Sequence, residues 1–228
     1  HYGYVLPSIW DAIKVAVCPN YTSRFFNPNM QSKIDWALAG FARAYLDKDG
    51  LFSEDLTKNC VFPDNNRGIR DWLQMLTTYD ELTCDIETYS LKLDEAGLAT
   101  ISFAWDTKHA VAFSVSGNMV VRQHLRNFFT NYKGKLIFHN ITYDAKVIIY
   151  ELFMNNPRDY TGMLEGLNHL FRNAHDTKIL AYLSLNSTAQ QSYSLKDLAF
   201  RFTGNYALEA IKDITKVNLF ELLKYNAT

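Results

Sequence analysis

Two acidic residues separated by one position, Asp85 and Glu87, are the sharpest chemical feature of the sequence. They end a short apolar stretch that begins at Leu82 and is typical of a β-strand. Because side chains alternate along a strand, both carboxylates are expected on one face, where they repel each other and lose hydration. A hard divalent cation would neutralise the pair. The alternative is two acids at a solvent-exposed strand end, and the pattern is common enough by chance to leave that open.

A third acidic residue, Asp144, follows a second predicted strand. Residues 135–139 are expected to form that strand, Asn140 comes at its end, and Asp144 falls in the first turn of the next helix. Ligand sites in open sheets form at such strand-to-helix junctions. Asp144 would therefore complete a cation site with Asp85 and Glu87, although a carboxylate there can also simply complement the helix dipole.

A mixed sheet flanked by helices would bring these residues together, and the sequence from residue 82 onward predicts such an α/β fold. Strands are expected at residues 82–87, 98–105, 110–115 and 135–139, with a hairpin turn at 106–109. Helices are expected at residues 118–133, 142–154, 175–185 and 194–203, and from 215 to the end of the sequence.

The first 65 residues differ in texture and contain most of the prolines. We expect residues 1–65 to be an N-terminal extension of unknown role, partly helical, and residues 66–228 to be a separate domain. The extension's helix is predicted at residues 30–46 from an apolar stripe at helical spacing, which consists of Ile34, Leu38, Phe41 and Tyr45. A further helix is expected to start at Asn65 or Asn66.

Composition excludes several classes of protein. A net charge of −1 argues against strong duplex binding driven by overall charge. The three cysteines lie far apart, which argues against a disulfide framework or a structural zinc site and fits a reducing compartment such as the cytoplasm. The histidines 139, 169 and 175 lack the spacing of a zinc site. No apolar run reaches the length of a membrane helix, and the opening His1 without a signal pattern indicates an excised segment.

The motifs together resemble a known family. Asp85-Ile86-Glu87-Thr88 resembles the first motif of the DEDD superfamily of 3′–5′ exonucleases, whose fold is RNase H-like. The stretch from His139 to Asp144 is similar to their second motif, in the Asn-x-x-Tyr/Phe-Asp form of family A DNA polymerases. Residues 175–183 and 193–199 resemble the segments that follow. The similarity extends over residues 69–228 and is closest to bacteriophage family A polymerases.

The third motif of that branch is Tyr-x-x-x-Asp on a late helix. Tyr225 would open it, so the resemblance implies an aspartate directly after Thr228 and a domain truncated within this motif. The segment as given would then lack its fourth carboxylate and be incomplete as a catalyst.

The resemblance also implies a role for each matching residue. The ligands of two Mg²⁺ ions, for which Mn²⁺ could substitute, would be Asp85, Glu87 and Asp144. Tyr225 would orient the attacking water. The terminal nucleotide would contact Thr88 and Leu91, and the single strand would be held by Asn140 and Tyr143. Leu91 is equally well interpreted as a core leucine. His175 and Asp176 are interpreted as a helix start and structural support, and not as metal ligands.

The leading hypothesis is therefore a proofreading 3′–5′ exonuclease domain of a family A DNA polymerase, which hydrolyses the 3′-terminal phosphodiester with two metal ions. It would bind the single-stranded 3′ end of DNA, with a polymerase domain C-terminal to it in the same polypeptide and no membrane partner. It would act in the cytoplasm, which is the host's if the protein is of bacteriophage origin. Two alternatives stay open: a stand-alone DEDD exonuclease of RNase D or Werner type, and an inactive exonuclease fold that serves as a binding or scaffolding module.

Overall fold

A six-stranded mixed sheet lies at the centre of the region that carries the acidic residues. The structure is a computed structural model, and it describes residues 5–7, 14–28, 30–46, 56–93, 95–185, 192–203 and 216–227. The chain divides into two units: residues 56–179 with 208–228, which contain this sheet, and residues 1–55 with 180–207. The strands of the sheet are β3 (Cys60–Val61), β4 (Glu81–Thr88), β5 (Leu98–Ala104), β6 (Ala110–Ser114), β7 (Lys135–Phe138) and β8 (Ala174–Asp176).

The strand directions place the ends of β4 and β7 side by side. The order across the sheet is β3-β6-β5-β4-β7-β8, and β5 is antiparallel to both of its neighbours while the other pairs are parallel. Thr83 of β4 is in register with Ile137 of β7. The acidic end of β4 and the turn after β7 therefore meet at one edge of the sheet, as the sequence predicted.

Strands β5 and β6 are buried on both faces, whereas β4 is buried on one face only. The described helices of this unit are α3 (Asn66–Leu76), α4 (Met119–Asn131), α5 (Ile141–Leu152), α6 (Tyr160–Leu170) and α9 (Leu219–Ala227). A further helix, α7 (Thr177–Ser184), begins in this unit. The predicted cap of α3 is confirmed, since the Asn65 side chain accepts a hydrogen bond from the Gly68 amide. The predicted cap of α4 is confirmed as well, by hydrogen bonds from the amides of Val120 and Val121 to Asn118.

Three elements differ from the prediction. Residues 175–185 were expected to form one helix, but residues 174–176 pair with β7 as strand β8 and the helix begins only at Thr177. Strand β3 and helix α6 were not predicted. The last helix begins at Leu219 among the described residues, and the expected start at Thr215 lies outside them.

The described residues of the other unit include a short hairpin and several helices. Strands β1 (Val5–Pro7) and β2 (Lys14–Ala16) pair antiparallel. Its helices are α1 (Ser23–Phe26), α2 (Met30–Leu46) and α8 (Leu195–Thr203), and α8 packs on α2 with an ion pair of 3.2 Å between Lys33 and Asp197. The predicted apolar stripe of α2 is wrong beyond Ile34. Leu38, Phe41 and Tyr45 are exposed, and the small Ala37 is buried instead.

None of the helices among the described residues is both long enough and apolar enough to span a lipid bilayer.

Candidate active site

Strand β4 sorts its residues onto two faces. Leu82, Cys84 and Ile86 are buried in the core, whereas Asp85 and Glu87 point to the opposite face and are half-buried. Across the ladder, Asp85 is opposite Ser102 of β5 and Glu87 is opposite Thr100. The expectation that one strand presents both acids on one face is therefore confirmed, and two hydroxyl side chains stand beside them.

Asp85 is held in a desolvated position. Burial raises the pKa of its carboxyl to about 6, although a hydrogen bond from Asn226 and another from the Ile86 amide act in the opposite direction. The bond from Asn226 Nδ2 to Asp85 Oδ2 is 2.9 Å long. A carboxylate with this pKa gains stability from any positive charge that is brought next to it.

Asp144 occupies the first turn of α5 and is only 6% exposed. Burial, and then the negative charges of Asp85, Glu87 and Asp176, raise the pKa of this carboxyl to about 8. The three acids selected from the sequence are thus near enough to repel one another through a partly dry environment. Within the described part of the chain, no three His, Cys, Asp or Glu side chains are arranged to hold one metal ion. The convergence of Asp85, Glu87 and Asp144 on a common ion stays a prediction.

The turn that carries Asp144 into place is fixed by Asp176. Asn140, between β7 and α5, adopts a left-handed backbone conformation with φ 66° and ψ 50°. Its amide and that of Ile141 each donate a 3.0 Å hydrogen bond to the Asp176 carboxylate. The same carboxylate accepts the Lys178 amide at 2.8 Å, so one side chain caps α5 and α7 together. These bonds lower its pKa against the effect of burial.

The residues predicted to contact substrate lie around one hydroxyl cluster. Tyr143 Oη is 2.6 Å from Thr88 Oγ1 and donates a 3.0 Å hydrogen bond to the carbonyl of Ser90. Leu91 follows directly and is 85% exposed, so its interpretation as a core leucine is wrong. Asn140 is also exposed, and its side-chain oxygen accepts a 3.3 Å hydrogen bond from Lys178 Nζ.

Helix α9 brings Tyr225 to the acids. Burial, followed by the negative charges of Glu87 and Asp85, raises the pKa of the Tyr225 hydroxyl, which places this residue beside the two carboxylates of β4. The hydroxyl therefore stays protonated at neutral pH and can take part in hydrogen bonds as both donor and acceptor. Asp144 and Tyr225 are thus both within electrostatic range of Asp85 and Glu87. Thr88 and Tyr143 are in contact, whereas Leu91 and Asn140 lie in the segments that follow β4 and β7.

A known protein family accounts for most of the chain. A family model described as 3′–5′ exonuclease matches residues 60–224. The chain belongs to this family. The exonuclease family predicted from the motifs is confirmed, whereas the tyrosine subtype and the bacteriophage origin stay predictions. No curated protein matches the sequence.

Solved structures of nucleases share the fold of this chain. The EXO domain of Nibbler from Aedes aegypti has a TM-score of 0.54 at 11% identity, with 75% of this chain and 81% of that chain covered. Brucella melitensis NrnC bound to pGG has a TM-score of 0.50 at 16% identity, with 74% of this chain and 72% of that chain covered. Escherichia coli RNase D has a TM-score of 0.50 at 13% identity, with 74% of this chain and 40% of that chain covered. The predicted RNase H-like mixed sheet flanked by helices is confirmed.

One residue of the candidate site was missed in the sequence. Asn226 is 6% exposed and donates to Asp85, yet it was not selected as a candidate. A signal was present, because Leu222, Leu223 and Asn226 lie on one face of α9 at helical spacing. A side-chain amide in an otherwise apolar stripe must find buried hydrogen-bond partners, so this position could have been selected as a candidate from the sequence.

Proposed function

We propose that this chain is a metal-dependent 3′–5′ exonuclease that removes nucleotides from a single-stranded 3′ end. The observation that carries the proposal is the electrostatic coupling of Asp144 to Asp85 and Glu87 at one sheet edge. Burial, followed by the negative charges of the neighbouring acids, raises the pKa of Asp144 to about 8, so the ionised state of the group is costly and a divalent cation offsets that cost. Membership of the exonuclease family supports the same chemistry.

The donor set suits a hard cation, since Asp85, Glu87 and Asp144 offer only carboxylate oxygens. These three residues would hold Mg²⁺, and Mn²⁺ is expected to substitute for it. Two bound ions would supply a nucleophilic water at neutral pH and stabilise the departing 3′ oxygen.

Tyr225 would act on the nucleophile. Its raised pKa keeps the hydroxyl protonated beside the acids, so it can accept and donate hydrogen bonds to a water without competing for the cation. A protonated hydroxyl at that place orients the water's lone pair toward the scissile phosphorus.

The substrate would approach over the loop that follows β4. Leu91 is exposed there and would pack as an apolar wedge beneath the terminal base, while Thr88 would contact the same nucleotide. Tyr143 already bonds Thr88 and the Ser90 carbonyl, so it would shape this loop as well as line the strand path. Asn140 would contact the strand near the scissile phosphate. NrnC, one of the proteins with this fold, was solved bound to pGG.

The proteins with this fold help to decide between a stand-alone nuclease and a nuclease domain of a polymerase. NrnC, the Nibbler EXO domain and the exoribonuclease RNase D favour a nuclease of RNase D type that acts without a polymerase. Proofreading within a family A DNA polymerase is the second candidate, and it is favoured by the Asn140-x-x-Tyr143-Asp144 form of the second motif. Only in that case would a polymerase domain be a partner in the same polypeptide.

The test is digestion, by the full-length protein, of 5′-labelled single strands of DNA and RNA with the same sequence. We expect a ladder that shortens from the 3′ end with Mg²⁺, no cleavage with EDTA, and none with the double variant Asp85→Asn, Glu87→Gln. The control Asp64→Asn changes an exposed carboxylate and should leave the ladder unchanged.

Three outcomes separate the readings. Efficient trimming of RNA favours the RNase D type. Preferential removal of a mismatched 3′ nucleotide from a DNA primer–template favours proofreading. Binding of single strands with Mg²⁺ but without any trimming would overturn the proposal in favour of an inactive binding module.

A further inference from the structure

Buried polar side chains are few among the described residues, and most of them form one network. Four polar or charged residues are buried: Thr100, Ser102, Asp144 and Asn226. Three of these, all except Asp144, are linked by hydrogen bonds that end on Asp85. Because a buried polar group is costly unless it is paired, such a concentration of them at one place specifies one geometry.

The network joins helix α9 to strand β5 through Asn226. The Thr100 hydroxyl donates to Asn226 Oδ1 at 3.2 Å, and the Ser102 hydroxyl donates to the Asn226 carbonyl at 2.6 Å. The remaining side-chain group of Asn226, Nδ2, donates to Asp85 Oδ2. One residue thus uses its side-chain oxygen and its main-chain carbonyl to hold the helix, and its side-chain nitrogen to hold the carboxylate.

The direction of the amide is fixed by chemistry. An ionised carboxylate only accepts hydrogen bonds, so Nδ2 must face Asp85, and the Thr100 hydroxyl then donates to Oδ1. A flipped amide would place two acceptor oxygens against each other. Beside the Ile86 amide, Asp85 therefore has this side-chain donor only while α9 lies on the sheet.

We propose that Asn226 is a positioning residue that couples the docking of α9 to the orientation of the Asp85 carboxylate. This inference rests on the proposed function of Asp85 as a cation ligand. Tyr225 is the preceding residue on the same helix, so a single docking event brings the tyrosine to the acids and fixes the first acid. The site would be competent only with α9 in place.

The contacts offer variants that separate positioning from packing. Asn226→Leu is close to isosteric and keeps the buried surface but loses the bonds to Asp85 and Thr100. Ser102→Ala and Thr100→Val each remove one bond that holds the helix and keep the bond from Asn226 to Asp85. Asn226→Ser is a second variant at the same position, and its shorter side chain cannot reach Asp85.

The experiment measures three quantities on the full chain: the melting temperature, the affinity for Mn²⁺ by calorimetry without nucleic acid, and kcat and KM for a single strand. Loss of a group that orients a metal ligand costs roughly 10–100-fold in affinity or activity. We expect losses of that size in Mn²⁺ affinity and kcat for Asn226→Leu and Asn226→Ser, with KM little changed. Ser102→Ala and Thr100→Val should lower the melting temperature and leave Mn²⁺ affinity within about threefold.

Wild-type Mn²⁺ affinity and kcat in folded Asn226→Leu or Asn226→Ser would overturn the proposal. Equal losses of Mn²⁺ affinity in the variants of Ser102 and Thr100 would overturn it too, since the effect would then follow helix docking alone. The Mn²⁺ measurement does not depend on catalysis. If the wild-type chain binds Mn²⁺ but trims no nucleic acid, the proposed function fails while the comparison of affinities still decides the role of Asn226.

Discussion

The hydroxyl of Tyr143 lies 2.6 Å from that of Thr88, so the first turn of α5 is bonded to the end of β4. Tyr143 precedes Asp144 directly, and Thr88 follows Glu87 directly. The contact therefore ties together two segments that each carry an acid. Both hydroxyls also lie within hydrogen-bond distance of the Ser90 carbonyl, at 3.1 Å for Thr88 and 3.0 Å for Tyr143. The hydroxyl that accepts in their mutual contact can donate its own proton to this carbonyl, which connects the pair to the loop that presents Leu91.

Removal of the Tyr143 hydroxyl should weaken this connection between β4 and α5 without unfolding the protein. A hydrogen bond of this kind contributes about 0.5–1.5 kcal/mol, so Tyr143→Phe should lower kcat/KM for a single strand by roughly 2–13-fold. Thr88→Val should do the same, and the double variant should be less than additive because both changes break one contact. Steady-state kinetics measure this. Tyr160→Phe, an exposed tyrosine on α6, is the control, and additive effects of the two changes would contradict the coupling.

Leu91 should affect substrate binding and not stability. Its side chain is 85% exposed, and truncation of an exposed side chain changes the free energy of unfolding by less than about 0.5 kcal/mol. If it packs beneath the terminal base, Leu91→Ala should raise KM for single strands by about 3–10-fold with little change in kcat. The matched variant is Leu164→Ala on α6, where the leucine is 56% exposed. Equal KM values for the two variants would show that Leu91 does not contact substrate.

The stability of the metal-free protein should fall as pH rises. The folded-state pKa values of Asp85 and Asp144, about 6 and about 8, lie above the ordinary value of a carboxyl. A raised folded pKa gives stability that is fully present below the unfolded pKa and lost as pH rises through the folded one. Thermal melts in EDTA should therefore show a lower melting temperature at pH 9 than at pH 5. A loss of about 2 kcal/mol corresponds to a fall of about 4–8 °C for a chain of this size.

Two comparisons test whether these carboxyls are the cause. Asp144→Asn removes the group with the higher pKa, so its melting temperature should vary less between pH 6 and pH 9. Mg²⁺ should raise the melting temperature of the wild type at pH 8 and have a smaller effect on the variant, because ligand binding stabilises only the state that binds it. A wild-type curve that rises from pH 5 to pH 9 would rule out this account.

The sequence was sufficient for the parts of the site that depend on local pattern. Period-two alternation placed Asp85 and Glu87 on one face of β4, and the strand-to-helix junction placed Asp144 in the first turn of α5. These features follow from neighbouring residues. The spacing of the motifs then sufficed to predict the α/β sheet, because each acid had to end a strand.

The parts that were missed depend on contacts between distant residues. Strand β8 has three residues and is a strand only because it pairs with β7. Helix α6 contains Gly162 and Gly166, which weaken a helical pattern. A Cβ at Gly166 would meet the Ile149 side chain at 2.9 Å, so this glycine permits close packing of α6 on α5. Neither packing partner can be read from the local pattern.

The dual cap at Asp176 provides the most direct test of how the fold positions Asp144. Asp176→Ala removes the acceptor for the amides of Asn140, Ile141 and Lys178 and leaves the left-handed turn unsupported. Loss of a helix cap costs about 0.5–2 kcal/mol, so the free energy of unfolding should fall by this amount or more. Because the turn also sets the position of Asp144, kcat should fall by roughly 10–100-fold.

Asp159 supplies the matched control for that prediction. Its carboxylate also caps a helix, accepting the amides of Gly162 and Asn155 at 2.9 Å, but it does so at α6. Asp159→Ala should therefore lower the free energy of unfolding by a similar amount and leave kcat within about twofold. Denaturant melts and single-turnover kinetics on both variants make the comparison. If both lose kcat in proportion to stability, then Asp176 acts only through the general stability of the fold, whereas a loss confined to Asp176→Ala shows that the turn it caps positions Asp144.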